Sequence, residues 1–163
     1  MKISEELDAL DLQLLGRLQQ DASLSNVALA EKLRISPPTC LRRVKRLSEG
    51  GWIERQVAVL NPARLGASVG HMVCALVEVT LDMQGVEHLD AFEAKAIAED
   101  AVQQCWRVAS GPDFILVVQA LSMPDYLEVT RRLFTQDANV RNVKAFFSIK
   151  RAKFSAALPL PRP

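Results

Sequence analysis

Leu10, Leu14, Leu15 and Leu18 recur at three- and four-residue spacing, which predicts a helix with one apolar stripe near the start of the chain. Asp8 can cap this helix, and Leu7 can staple to Leu12 across the cap. A polar break from Asp21 to Ser25 follows. Ser25 can then cap a second helix, Asn26 to about Leu33, with Val27, Leu29, Ala30 and Leu33 inward. After a two-residue turn, Ser36 is the next preferred N-cap, with Pro37 at the first helical position, where its missing amide is no loss. Gly50 and Gly51 supply the stop. Trp52 to Leu60 reads as a strand, Asn61-Pro62 breaks it, and Leu65-Gly66 closes the unit.

The second half changes period. Residues 71–82 read as a strand, Val86 to Asp100 as a helix with Leu89, Phe92, Ala96 and Ile97 on one side, and Val102 to Ala109 as a strand. Ser110 to Asp113 is a turn, and Phe114 to Leu121 is a third strand. Met123 to Gln136 is a helix capped by Ser122, packing through Tyr126, Leu127, Thr130, Leu133 and Phe134, and Val140 to about Phe154 is a last strand. The order βαββαβ is the ferredoxin-like motif. The predicted fold class is therefore α+β. A helix-turn-helix, winged-helix-like domain (residues 1–55) is joined by a strand linker and hinge (56–68) to a ferredoxin-like domain (69–154), and a loose Pro-rich tail (155–163) ends the chain. Both faces of the third strand read as apolar: Phe114, Leu116, Val118 and Ala120 on one, Ile115, Val117, Gln119 and Leu121 on the other. Helices cover only one face of such a sheet, so a second copy of the chain is expected to cover the other.

The helix begun at Ser36 carries the candidate chemistry. At about 100° per residue, Cys40, Leu41, Val44 and Leu47 fall on one arc. Thr39, Arg42, Arg43 and Arg46 fall opposite, flanked by Lys45 and Glu49. As the last of three short helices, it makes a helix-turn-helix whose basic face can enter the major groove of DNA. Guanidinium forks pair bidentately with guanine or phosphate. Thr39, Arg42, Arg43 and Arg46 are the reading or positioning face. Arg34 and Lys45 are phosphate candidates, Ser36 is a cap, and Pro38 lies in the same first turn.

Composition and charge sharpen this reading. The chain has 163 residues, enough for two small domains. Residues 1–66 hold ten Lys and Arg against eight acids, residues 67–140 hold four against eleven, and residues 141–163 hold six against none. Such asymmetry suits one part that meets a polyanion and one that does not. Five acids before residue 22 argue against a targeting peptide, and no apolar run could span a bilayer, so a cytoplasmic protein is expected. Cys40, Cys74 and Cys105 have no metal-type spacing, and no cofactor is implied. No phosphate loop, nucleophile elbow or zinc motif is present, and His71 and His88 stand apart, so no enzyme is expected.

These segments together resemble the Lrp/AsnC (feast/famine) family of transcriptional regulators. The resemblance lies in Leu7-Asp8 with Asp11 to Leu15, in Ser36-Pro37 with Cys40, Arg43-Val44, Leu47 and Gly51 to Ile53, and in Leu60-Asn61-Pro62 with Leu65-Gly66. Cys105 to Val118 is similar to the family's sensing segment. Two positions depart from the pattern. Arg34 stands where the family commonly has Gly between the second and third helices, and the Gly of the sensing turn is displaced by one position. The resemblance implies double-stranded DNA with near-palindromic sites as partner, a homodimer assembling to an octamer, and an amino-acid effector such as leucine or methionine. The effector would meet Ser110, Gly111, Pro112, Asp113 and Phe114, with Thr135 and Gln136 as further candidates. Turn amides can hold a carboxylate and Asp113 an ammonium; alternatively Asp113 only ties a tight turn. Two other readings stay open: a sirohaem-decarboxylase-like tetrapyrrole enzyme of the same two-domain fold, and an amino-acid-binding module without DNA binding.

Overall fold

In the computed structural model, residues 7–70 and 72–161 are described. His71, expected to open a strand, lies outside them. The chain divides into two compact units, one of residues up to 59 with the tail from 153, the other of residues 60–152.

The first unit is built on three helices: α1 (Ala9–Leu18), α2 (Asn26–Leu33) and α3 (Pro37–Glu49). Each starts where a short polar side chain can accept from an orphan amide. Asp8 caps α1 in a reciprocal capping box with Asp11, Ser25 caps α2, and Ser36 caps α3. Leu14, Leu18, Leu29, Ala30, Cys40 and Leu47 form the core between them. Two expected core residues are turned out instead: Val27 and Leu41 are both more than half exposed. Each sits at the edge of its apolar arc, and three short helices enclose too little volume to cover it. Between α2 and α3, Arg34 takes the left-handed conformation (φ 54°, ψ 42°). The Ile35 amide then reaches back to the Ala30 carbonyl at 3.0 Å, closing the end of α2.

The strand expected over Trp52 to Leu60 does not form; after a turn at Gly51 to Ile53 the chain is irregular to Leu60. Its apolar residues favour a strand, but among the described residues no strand pairs with it, and Val57 and Val59 stay exposed. An unpaired strand has no stability of its own. Asn61-Pro62, read as a breaker, instead starts a helix, α4 (Pro62–Val69). Asn61 Oδ1 accepts from the Arg64 amide at 3.2 Å, and Pro62 supplies the first helical φ. The tail is not loose: Gln19 and the Leu158 backbone exchange two hydrogen bonds at 3.0 and 2.9 Å. Leu160 lies over Gly16, where a Cβ would sit 3.8 Å from its methyl carbon.

The second unit contains β1 (Val73–Leu81), α5 (Val86–Ile97), β2 (Val102–Arg107), β3 (Phe114–Ala120), α6 (Met123–Thr130) and β4 (Val140–Phe147). The antiparallel sheet has the order β2-β3-β1-β4, the ferredoxin-like topology expected. Its helix-covered face buries Ala75, Val77, Val79, Leu81, Phe114, Leu116 and Val118 against Phe92, Ala96, Tyr126, Val129, Leu133 and Phe134. Ile97 and Leu127, expected inward, are exposed. A π turn, Arg131–Thr135, extends α6. Leu133 and Phe134 are both buried in it, and Lys95 Nζ bonds the Leu133 carbonyl at 3.3 Å. β4 stops at Phe147 rather than near 154, because its pairing on β1 runs out at Ala75.

Arg34 carries the cost of a left-handed backbone, roughly 1 kcal/mol for a residue with a Cβ. Arg34→Gly should stabilise the helical unit by about that amount in a urea titration. A β-branched Arg34→Val should destabilise it.

A candidate DNA interface and its ionic anchor

The structure divides the basic face of α3 in two. Arg43 and Arg46 point at α1. Arg43 Nη1 bridges Asp8 Oδ2 at 2.6 Å and Asp11 Oδ1 at 2.8 Å, while Arg46 Nη2 donates to Asp11 Oδ2 at 2.5 Å. The Asp11 side chain is 1% exposed, and those of Arg43 and Arg46 are 21% and 33% exposed. The arc drawn from sequence therefore needs correction: two of its four polar members are held inside the unit. An α-helical wheel shows which arc a residue occupies, not that a neighbouring helix covers part of that arc.

Asp11 is the centre of this arrangement. Its carboxylate also accepts from the Asp8 amide at 3.1 Å, and the Asp11 amide donates to Asp8 Oδ1 at 2.8 Å. Burial alone would push its carboxyl up. The hydrogen bonds from Arg46, the Asp8 amide and Arg43 outweigh burial and hold it at about 2. Asp8 is lowered as well, first by the Asp11 amide and then by Arg43. Sequence reasoning used Asp8 and Asp11 only as cap and motif. A signal for more was present: a carboxylate one turn into an apolar helix must be paired if it is buried, and α3 holds the nearest run of arginines.

Arg42, Lys45 and Leu41 remain on the outward side, with Pro38 in the first turn. Lys45 Nζ lies 3.7 Å from Glu49, a surface pair of little energetic weight. Glu49 puts a negative charge at the C-terminal end of this face, so a polyanion is favoured over the N-terminal half of the helix. Thr39 is half-buried, and its hydroxyl is 2.8 Å from that of Ser36, which ties it to the cap. Arg34 is exposed in the turn just before.

The sensing turn of the second unit is also engaged. Gly111 has φ 86°, a conformation that favours glycine. Asp113 Oδ2 accepts from the Leu81 amide at 2.7 Å and from Gln84 Nε2 at 3.2 Å, and its own amide donates to the Val79 carbonyl at 2.9 Å. Asp113 thus ties the turn to the end of β1. Phe114 is fully buried, its ring 4.9 Å from that of Phe92, so it is not presented to a ligand. Ser110, Gly111, Thr135 and Gln136 are exposed, and Pro112 is half-buried. His88 is part-exposed, 3.8 Å from Glu87. Among the described residues no cluster of His, Cys, Asp or Glu could hold a metal, and no helix is long and apolar enough to cross a membrane.

Residues 7–54 match the family of winged helix-turn-helix DNA-binding domains, and residues 74–158 match the Lrp/AsnC ligand binding domain. The chain belongs to the Lrp/AsnC family. Its members are DNA-binding transcriptional regulators with an amino-acid-binding domain, and this chain has both parts in the same order. Among relatives, the leucine-responsive regulatory protein of Rhizobium meliloti is 35% identical over 153 residues, 94% of this chain and 96% of that one. An AsnC family transcriptional regulator from Agrobacterium tumefaciens has a similar structure (TM-score 0.82, 27% identity, 94% of this chain and 97% of that one). So does a transcriptional regulator from Neisseria meningitidis solved in complex with L-methionine (TM-score 0.81, 25% identity, with the same coverage). The ligand-binding match takes in most of the second unit and runs on into the tail, and the DNA-binding match takes in the three helices that Asp11 ties together.

The Asp11 anchor has a pH signature. A carboxyl at about 2 in the folded protein against 3.8 in its absence stabilises the fold fully above about pH 4, and the contribution is lost as pH falls toward 2. The shift corresponds to about 2 kcal/mol. Asp11→Asn should lose about 3 kcal/mol at neutral pH, the low end for breaking a buried pair because both arginines keep some contact with water. Its stability, measured by urea unfolding, should then fall less steeply than that of the wild type between pH 4 and pH 2.

Proposed function

We propose that this Lrp/AsnC regulator binds near-palindromic double-stranded DNA as a dimer, with the N-terminal half of α3 in the major groove. The observation that carries the reading is the separation of charges on α3. Arg43 and Arg46 are committed to Asp11, while Arg42 and Lys45 face outward beside Pro38. In this reading Arg42 reaches base edges, Lys45 and Arg34 meet phosphates, and Ser36 with Thr39 sets the start of the helix. Arg43 and Arg46 position α3 and do not touch DNA. The relatives that cover nearly all of the chain are regulators, which supports reading it as a regulator rather than an enzyme.

The dimer forms through the open face of the sheet. Cross-strand pairing aligns Gln104, Val117, Leu76 and Phe146 in one row, and Trp106, Ile115, Glu78 and Lys144 in the next. Trp106 is 57% and Phe146 53% exposed, on a face without a helix. A second copy of the sheet buries such a surface at no loss of backbone hydrogen bonds. Further assembly to an octamer would place copies around the acidic middle of the chain. A small amino acid, with leucine or methionine as first candidates, binds the second unit and shifts DNA affinity or assembly. The methionine complex of the Neisseria relative supports this class of ligand. Within the turn, Ser110, Gly111 and Pro112 are the residues left to meet it, because the Asp113 carboxylate already serves Leu81 and Gln84.

Fluorescence anisotropy on DNA upstream of the protein's own gene tests the first part. Arg42→Ala should weaken binding by about 1–3 kcal/mol and relax specificity. Unchanged affinity would remove Arg42 from the interface, and leucine or methionine added to the same assay should shift the binding curve. For the dimer, Leu76→Lys should turn a sedimenting dimer into a monomer at micromolar concentration. A monomeric wild type would contradict the sheet-to-sheet interface.

A further inference from the structure

Leu41 is the least expected residue on α3. Sequence patterning assigns it to the core, yet it is 53% exposed. The core side of the helix is occupied by Cys40 and Leu47, both fully buried. Arg43 and Arg46 fill the flank toward α1. Leu41 is left on the outward side with its neighbour Arg42 and, one turn on, Lys45. Packing leaves Leu41 uncovered at the edge of its arc, and its place beside two cations, in the half of the helix away from Glu49, puts an apolar group on the face offered to DNA.

We infer that Leu41 is a specificity-determining residue that reads the 5-methyl group of a thymine in the major groove. The inference rests on the DNA reading of α3 and adds to it a base preference. The chemistry fits the neighbours. Arg42 offers a guanidinium fork, which suits guanine, whereas Leu41 offers only methyl groups. Thymine is the base whose major-groove edge presents a methyl, and apolar side chains recognise it by excluding water from both surfaces. Adjacent side chains on one helix face reach adjacent base pairs, so each half-site should contain a thymine next to the pair contacted by Arg42. The occupant of this apolar spot is thus DNA, with Arg42 on the neighbouring base pair and Lys45 on the phosphates beside it.

The test uses the full-length protein. Its sites are first selected from a random double-stranded library, and each thymine in the selected site is then replaced by deoxyuridine, which removes only the methyl. One thymine per half-site should prove sensitive, wild-type affinity falling about fourfold per replacement, the worth of one buried methyl-sized group. Leu41→Ala should bind the thymine and deoxyuridine sites equally, and Leu41→Met should restore part of the difference. Thermal melts of both variants should stay close to wild type, since the side chain is half exposed. Methyl sensitivity that persists unchanged in Leu41→Ala, or no sensitive thymine at all, overturns the role of Leu41 and leaves DNA binding intact. Failure of the wild type to enrich any sequence overturns the DNA reading itself, and this inference with it.

Discussion

The buried carboxylate of Asp11 is the constraint on which the DNA-binding half depends. A lone ionised carboxylate in an apolar core would cost several kcal/mol. Here it accepts from two guanidiniums and one backbone amide, so the charge is kept and its partners are fixed. The consequence is geometric. Two arginines on consecutive turns of α3, both drawn to one point on α1, set the rotation of α3 about its own axis. That rotation decides which side chains face outward. Ordinary apolar packing by Cys40 and Leu47 would permit several nearby rotations; a pair of short charge-assisted hydrogen bonds permits far fewer. Asp8 joins the same network, so the cap of α1 and the orientation of α3 are set together.

The second unit follows different physics. Its one-sided core comes from the split βαβ arrangement, which places both helices on one face of the sheet. The opposite face keeps its apolar residues without a cover in a single chain. The turn before β3 is held by Asp113 at the end of β1. The left-handed Gly111 is what allows that turn to fold back tightly enough for the Asp113 carboxylate to reach the Leu81 amide.

Local signals were read well, and long-range ones were not. Asp8, Ser25, Ser36 and Ser122 cap the helices that their spacing indicates, because a cap needs only its own next three residues. Phe114 to Ala120 reads as a strand for the same reason, but both its faces are apolar, and the helices decide that Phe114, Leu116 and Val118 turn inward. Asp11 and its arginines are more than thirty residues apart, and nothing local couples them. Leu41 and Val27 lie at arc edges, where burial depends on how far the next helix extends. Residues 52–60 have a strand's pattern without a described partner strand. Leu133 and Phe134 both bury, and the π turn that carries them has no separate sequence mark. The tail was judged by its prolines, whereas its place is set by Gln19 and Gly16 on α1.

In the proposed reading α3 divides its arginines, with Arg43 and Arg46 serving the fold and Arg42 serving DNA. The dependence of DNA affinity on salt counts phosphate-directed cations, each lowering the slope of log affinity against log salt by about 0.9 when removed. Arg46→Gln keeps the stem of the side chain and removes its charge. The division predicts a salt slope equal to that of the wild type, together with reduced stability to urea. A slope smaller by about one, with stability unchanged, would place Arg46 on the DNA backbone and contradict the account.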